Sequence, residues 1–166
     1  MLINDGIITP EELKVALPPE ERYKKGPVAI IECLQDIPCD PCVYACPVKA
    51  IQMKEGITDR PVLDFDKCTG CGLCVPKCPG LAIFIVNKNI APGKASISMS
   101  HELLPIPVKD QIVTLLDRSG KAVGEGKVLK VMNPPHYDKT VVVTVEVPED
   151  KVMDVRAIRV TSGGMK

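Results

Sequence analysis

The clearest pattern along the chain is a series of short β-branched runs separated by breaks rich in proline and glycine. These runs predict strands at 28–31, 61–66 and 82–86, the second leading to Cys68 and the third pairing with it. Further strands are predicted at 111–117, 123–131, 140–147 and 155–160, with a hairpin turn at Gly120. These last strands, short and antiparallel, predict a small barrel or sandwich.

The N-terminal 26 residues follow a different pattern. Thr9, Pro10 and Glu12 form a capping-box signature, which predicts a helix of about two turns that ends at Pro18. A helix this short is not stable alone, so residues 1–26 are expected to form an arm laid on this protein or on a partner. Residues 91–110 combine prolines and a glycine with a Ser-rich middle, which predicts a linker.

Composition and charge narrow the class of protein. The 166 residues carry no net charge and 45% of them are hydrophobic, so no single-sign field favours nucleic acid or anionic lipid. The first ten residues include Asp5 and no basic side chain, unlike a signal peptide, and no apolar run approaches the roughly 18 residues of a membrane span. A reducing cytoplasm is therefore expected, where eight clustered cysteines indicate metal or redox chemistry.

Residues 68–79 carry the candidate chemistry, with the sequence Cys-Thr-Gly-Cys-Gly-Leu-Cys-Val-Pro-Lys-Cys-Pro. Three cysteines at a spacing of three, and a fourth followed by proline, form the iron–sulfur run of bacterial ferredoxins. Gly70 and Gly72 allow the backbone to turn with positive φ. The alternatives are a disulfide set or a zinc site, but a zinc site pairs its ligands in two separate knuckles. The motif therefore predicts iron–sulfur ligation.

An internal repeat extends this interpretation. Cys46-Pro-Val-Lys-Ala-Ile and Cys78-Pro-Gly-Leu-Ala-Ile recur 32 residues apart. Over residues 27–88 the chain resembles gene-duplicated two-cluster ferredoxins, in which each half contributes three cysteines to its own cluster and one to the other. The resemblance implies two 4Fe–4S clusters. The ligands that it implies are Cys46, Cys68, Cys71 and Cys74 for one cluster, and Cys39, Cys42 and Cys78 for the other.

The fourth ligand of the second cluster is open. The family has a cysteine three residues before Cys39, where this chain has Asp36, and Cys33 lies three residues further back. Cys33 could reach the cluster through a widened loop, Asp36 could supply an oxygen, or the corner could be empty, leaving 3Fe–4S. Thiolate suits iron in such a cluster better than carboxylate does, so Cys33 is the expected ligand. A buried Cys33 with no metal is the plain structural alternative.

Together these patterns predict an α+β fold: a ferredoxin-like two-cluster domain with a small all-β C-terminal domain. The expected divisions are an N-terminal arm with a short helix at 1–26, the two-cluster ferredoxin domain at 27–90, a linker at 91–110 and a small antiparallel β domain at 111–161. Apolar side chains within the cysteine motifs are expected to shield the clusters from water: Ile37, Val43, Leu73 and Val75.

The expected function is single-electron transfer through the two clusters, with no catalytic residue on this chain. The arm, the linker and the β domain supply no ligand, which favours a subunit docked onto an oxidoreductase. Residues 31–42 resemble the small iron–sulfur subunits that accompany FAD-dependent dehydrogenase subunits of the glycerol-3-phosphate, amine- or proline-oxidising type. The resemblance implies a cytoplasmic hetero-oligomer with FAD on a partner chain, since the sequence has no Gly-x-Gly-x-x-Gly fingerprint. A free soluble ferredoxin and a structural metal-binding protein are the alternatives.

Overall fold

The protein is built around one large antiparallel sheet. The computed structural model describes residues 1–161. Seven strands of this part of the chain form one sheet and two form a separate pair, and all neighbouring strands are antiparallel. In chain order the strands are β1 (Val28–Ile31), β2 (Ile51–Gln52), β3 (Val62–Leu63), β4 (Ile83–Ala91), β5 (Lys94–His101), β6 (Ile112–Leu116), β7 (Ala122–Met132), β8 (Val141–Pro148) and β9 (Ala157–Arg159). The order in the large sheet is β1-β4-β5-β8-β7-β6-β9, and β2 pairs with β3.

The helices are short and lie mostly in the N-terminal third. They are α1 (Leu2–Asp5), α2 (Pro10–Leu13), α3 (Glu20–Tyr23) and α4 (Pro41–Ala45), with 3₁₀ turns at Lys14–Ala16, Pro135–Tyr137 and Glu149–Lys151. The predicted capping box is confirmed, because the Thr9 hydroxyl accepts from the Glu12 amide and the Glu12 carboxylate accepts from the Thr9 amide. Among residues 1–161 no helix is long and apolar enough to cross a membrane.

Strands β1 and β4 separate two hydrophobic cores. Val28 and Ile30 of β1, with Phe84 of β4, face a core that extends to Ile158 in β9 at the opposite edge of the sheet. The sheet therefore curls, since residues from its two edges share one core. The alternate residues of β1 and β4 face a second core that contains Cys42 and Cys74. Burial on both faces explains why these two strands are continuously apolar in sequence.

The predicted linker at 91–110 is wrong over its first part. Lys94–His101 forms β5, which pairs with β4 through a turn at Gly93 and with β8 along its full length. The Ser-rich segment alternates strictly: Ala95 and Ile97 are fully buried in the core, while Ser98 on the opposite face shares a 2.8 Å hydrogen bond with the Thr144 hydroxyl. The serines lie along one face of a strand, and this gives the segment the polar composition that is typical of a linker.

Two further expectations are corrected by the sheet. Strand β3 pairs with β2, whereas β4 pairs with β1 and β5, so the predicted pairing between 61–66 and 82–86 is wrong. The β strands expected after residue 111 are present, but they continue the sheet that begins at Val28 and share its core. They therefore do not form a separate β domain. The ferredoxin-like class of the fold stays a prediction.

Candidate iron–sulfur site

The eight cysteines fall into two groups of four. In the first group, four thiols lie near one another around Cys74. The pKa of the Cys74 thiol is raised to about 12, first by burial and then by the thiols of Cys68, Cys71 and Cys46. All four residues line one apolar cavity, which lies against Ile51 of β2 and Ile85 of β4. The first thiol group is Cys46, Cys68, Cys71 and Cys74.

The second thiol group surrounds Cys42, the buried cysteine of α4. The pKa of Cys42 is raised to about 11, first by burial and then by Cys78, Cys39 and Cys33. The pKa values of Cys33 and Cys39 are also raised, by burial and then by Cys78. These four cysteines are the ones assigned to the second cluster in the sequence, and their role as ligands stays a prediction. The second thiol group is Cys33, Cys39, Cys42 and Cys78.

The two halves of the repeat have the same local geometry. In the first half the Ala50 amide donates to Cys46 Sγ at 3.2 Å, and in the second the Ala82 amide donates to Cys78 Sγ at 3.4 Å. The residue before each alanine, Lys49 or Leu81, has φ of 52°. This left-handed residue turns the following amide back towards the sulfur, and amide hydrogen bonds to sulfur favour thiolate ligands.

The loop from Cys68 to Cys74 is held close to the start of β1. The Ala29 amide donates to Cys68 Sγ at 3.5 Å. Gly70 has φ of 67°, and a Cβ built there would lie 2.5 Å from the Pro27 carbonyl oxygen, so a side chain has no room. Gly72 has φ of 80° but space around a Cβ. Glycine is therefore required at position 70 by both conformation and contact.

A turn before this loop is closed by Asp64. Its carboxylate accepts from the Lys67 ammonium at 3.0 Å and from the Lys67 and Asp66 amides at 3.1 Å. These bonds, the Lys67 side chain first, lower the pKa of Asp64. The Asp64 carbonyl also accepts from the Cys68 amide at 3.1 Å. The turn that the ionised Asp64 carboxylate closes therefore positions the first cysteine of the motif.

The carboxylate of Asp36 is engaged in an ion pair with Arg60. Its carboxylate accepts from Arg60 Nε at 2.8 Å, and the side chain is 69% exposed. Cys33 directly follows the buried Glu32 at the end of β1. Burial first, and then the thiols of Cys78 and Cys39, raise the pKa of Cys33, while Arg60 opposes the shift. Two cysteines of the group thus neighbour Cys33, whereas the carboxylate of Asp36 bonds Arg60, and the identity of the fourth ligand stays a prediction.

The residues present fit two iron–sulfur clusters. Each group offers four thiols, with glycine at the close approach and amide groups aimed at sulfur, which is the donor chemistry of a 4Fe–4S site. Within residues 1–161 no three His, Cys, Asp or Glu side chains converge closely enough to hold a single metal ion. Shielding is uneven, because Val75 is fully buried while Leu73 and Ile37 are about 40% exposed, and Cys71 is exposed.

Two buried charge networks border the thiol groups, and the sequence analysis missed both. Arg22 of α3 donates to the carbonyl of Cys68 at 2.6 Å. Glu32, next to Cys33, accepts from Arg118 at 2.6 Å and from Arg156 at 2.7 Å. The position of Glu32 between an apolar strand and a cysteine is a sequence signal for a buried charge at this site. Arg22 lies in a helix with other charged residues, so the sequence contains no such signal for it.

Residues 37–82 match the family described as a 4Fe-4S dicluster domain. Over these residues the chain is similar to 4Fe–4S dicluster ferredoxin domains. The matched segment includes every cysteine of the two thiol groups except Cys33, which lies four residues before it.

The dicluster domain also accounts for similarity to curated proteins. An uncharacterized ferredoxin of Methanocaldococcus jannaschii is 42% identical over 71 residues, which cover 42% of this chain and 43% of the relative. Subunit I of the F420H2 dehydrogenase of Methanosarcina mazei is 40% identical over 60 residues, which cover 36% and 34%. The polyferredoxin-like subunit of the aliphatic sulfonate oxidoreductase of Pyrococcus furiosus is 33% identical over 96 residues, which cover 58% and 50%. The chain thus spans between a third and a half of the length of these relatives. No solved structure matches the chain.

Proposed function

We propose that this protein transfers single electrons through two 4Fe–4S clusters, one on each thiol group. The observation that carries the proposal is the interleaving of the groups: each half of the repeat supplies three thiols to one group and its last cysteine to the other. Such clusters, when bound, exchange one electron at a time. In this proposal Cys33 completes the second set, supported by its thiol neighbours and by the exposed ion pair of Asp36.

The short helix α4 would keep the two clusters close. Cys42 of the second thiol group lies in α4, and Cys46 of the first thiol group caps its C-terminus. Four residues of helix rise by about 6 Å, so one turn of backbone joins the two groups. Cys74 and Cys78 repeat this relation in the other half. An electron arriving at one group would therefore have its next site within a helical turn.

The uneven exposure favours the first thiol group as the point of exchange with a partner. Cys71 and the neighbouring Leu73 are exposed, whereas Cys74 and Val75 on the other side of the loop are buried. Electron transfer to a separate protein is faster where less protein lies between donor and acceptor. We place the contact with the partner at this exposed side of the loop.

The partner is proposed to be a flavin-containing dehydrogenase subunit that carries FAD. The resemblance of residues 31–42 to the iron–sulfur subunits of such complexes supports it, and relatives of the domain are named as subunits of other oxidoreductases. A free ferredoxin is the second candidate, favoured by the similarity to uncharacterized ferredoxins of Methanocaldococcus jannaschii.

The test is anaerobic purification of the tagged chain from its native source. Iron and acid-labile sulfide should each reach about eight per chain, and electron paramagnetic resonance (EPR) should show two reduced 4Fe–4S clusters. Flavin should co-purify in a fixed ratio with a second polypeptide. Stoichiometric zinc with little iron would refute the cluster assignment. A flavin-free monomer with full iron would instead favour the free ferredoxin.

A further inference from the structure

The guanidinium of Arg22, a residue of α3, is buried beside the loop that runs from Cys68 to Cys74. The residue is 6% exposed. Its Nε donates to the Phe65 carbonyl at 2.6 Å and its Nη1 to the Gly26 carbonyl at 3.2 Å. Its Nη2 donates to the Pro27 carbonyl at 3.0 Å and to the Cys68 carbonyl at 2.6 Å. All four acceptors are backbone oxygens, and one belongs to a cysteine of the first thiol group.

Arg22 has no carboxylate partner among the residues that the structure describes. No Asp or Glu oxygen of residues 1–161 lies within 4.0 Å of its guanidinium nitrogens. The other buried guanidinium, that of Arg156, has Glu32 at 2.7 Å. A buried cation without an anion is costly, and carbonyl dipoles supply hydrogen bonds without a net negative charge. The charge that balances Arg22 is therefore not on a carboxylate of these residues.

We propose that Arg22 is the counter-charge of the cluster on the first thiol group and raises its reduction potential. This inference rests on the proposed ligation by that group. A 4Fe–4S cluster with four thiolates is anionic, and reduction adds one more negative charge. A fixed cation beside Cys68 stabilises the reduced form more than the oxidised form, because Coulomb attraction grows with the charge. Burial limits screening by water and salt.

The effect should be selective for one cluster. The second thiol group borders a different network, in which the Glu32 carboxylate is paired with Arg118 and Arg156 and Arg22 takes no part. The Arg22 guanidinium donates to the carbonyls of Gly26, Pro27, Phe65 and Cys68. None of these four bonds reaches a residue of the second thiol group.

The experiment is an EPR-monitored redox titration of the cluster-loaded full chain with Arg22→Gln, Arg22→Lys and Lys25→Gln. The signal of the first cluster is assigned by its change in Cys71→Ser. Arg22→Gln should lower the reduction constant of that cluster at least tenfold, which is about 59 mV for one electron. Arg22→Lys keeps the charge and should shift it less. Lys25→Gln, which removes an exposed cation paired with Asp66 in the same segment, should shift neither cluster.

Each other outcome decides the inference. An unchanged potential in Arg22→Gln with full iron content overturns it, as does a shift of the second cluster alone. If Arg22→Gln loses the first cluster, Arg22→Lys decides: retention at near the wild-type potential supports the counter-charge. Loss of the cluster in both variants, or an equal shift in both, means that Arg22 acts as a clamp on the loop and refutes it. Absence of both clusters from the wild type would refute the proposed function instead.

Discussion

Replacing Glu32 by glutamine is expected to destabilise the cluster-loaded protein strongly. Glu32 Oε1 accepts from Arg156 Nε at 2.7 Å and from Arg118 Nη2 at 2.6 Å, and Oε2 accepts from Arg118 Nε at 3.0 Å. The side chains of Glu32 and Arg156 are each 5% exposed. The guanidinium carbon of Arg156 also lies 4.7 Å from the Phe84 ring centroid, and within residues 1–161 its Nη2 has no hydrogen-bond partner. Glu32 is thus the anion that compensates a fully buried cation.

The size of the effect follows from that geometry. Burial lowers the pKa of Arg156 to about 10, with Glu32 opposing the shift, which indicates a high desolvation cost. Removing one partner of a buried ion pair costs about 3–5 kcal/mol. A change of about 1.4 kcal/mol in a barrier corresponds to a factor of ten in rate. If only half of the lower of these two costs appears as a lower barrier to unfolding, unfolding becomes about tenfold faster. The double variant Glu32→Gln/Arg156→Met removes both charges of the buried pair and should be more stable than Glu32→Gln alone.

The assay is the anaerobic rate at which the clusters lose their visible absorbance in denaturant, since loss of a cofactor makes unfolding irreversible and the rate is the proper measure. Glu32→Gln should bleach at least tenfold faster than wild type. Glu146→Gln is the control, because it breaks the more exposed pair with Lys94 in the same sheet, and surface pairs contribute at most about 1 kcal/mol. Equal rates for the two single variants would refute the reasoning. So would a double variant that bleaches faster than Glu32→Gln.

Three further changes test the surroundings of the thiol groups. Cys33→Ser should leave one intact 4Fe–4S EPR signal beside a 3Fe–4S or missing one, whereas Asp36→Ala should be silent; the reverse pattern would move the ligand to Asp36. Gly70→Ala should reduce the iron content by about half, because positive φ costs an alanine about 1–2 kcal/mol and its Cβ meets backbone, while Gly56→Ala, in open space, should keep full iron. Asp64→Asn should bleach faster than wild type at pH 7. Because the pKa of Asp64 is lowered in the folded protein, its ionised form stabilises the turn at pH values above the unfolded pKa of about 4. This stabilisation is lost as the pH falls below that value, so the bleaching rate of Asp64→Asn divided by that of wild type should fall to one in acid. A ratio independent of pH would contradict this.

Local spacing in the sequence accounts for the grouping of the thiols. Cys68, Cys71 and Cys74 lie within one loop, so their proximity needs no tertiary information. The repeat then pairs Cys46 with Cys78, and the two share the same sulfur–amide bond and the same left-handed residue before the alanine. Strands with uniform β-branched runs, such as Val141–Pro148, are predictable for the same local reason.

What the sequence does not predict is set by contacts between distant residues. β5 was missed because its alternation of Ala95 and Ile97 with serines has the polar composition of a loop, and only pairing with β4 and β8 makes it a strand. Arg22 and Glu32 were missed because their partners are 46 residues and more than 80 residues away in the chain. Side-chain charges are exposed by default, so the burial of these two follows only from the assembled fold.

These two networks change the role of the segments outside the dicluster domain. These segments supply no thiol, so the sequence alone favours a role in docking onto a partner. Yet Arg22 of the N-terminal arm binds the Cys68 carbonyl, and Arg118 and Arg156 from the C-terminal strands hold Glu32 beside Cys33. One cation from these segments therefore bonds a cysteine of the first thiol group directly, and two more hold the carboxylate next to Cys33 in the second. Charge and burial at a cluster set its potential, so on the proposed ligation these segments contribute to the electrostatic surroundings of both clusters, whatever partner they also contact.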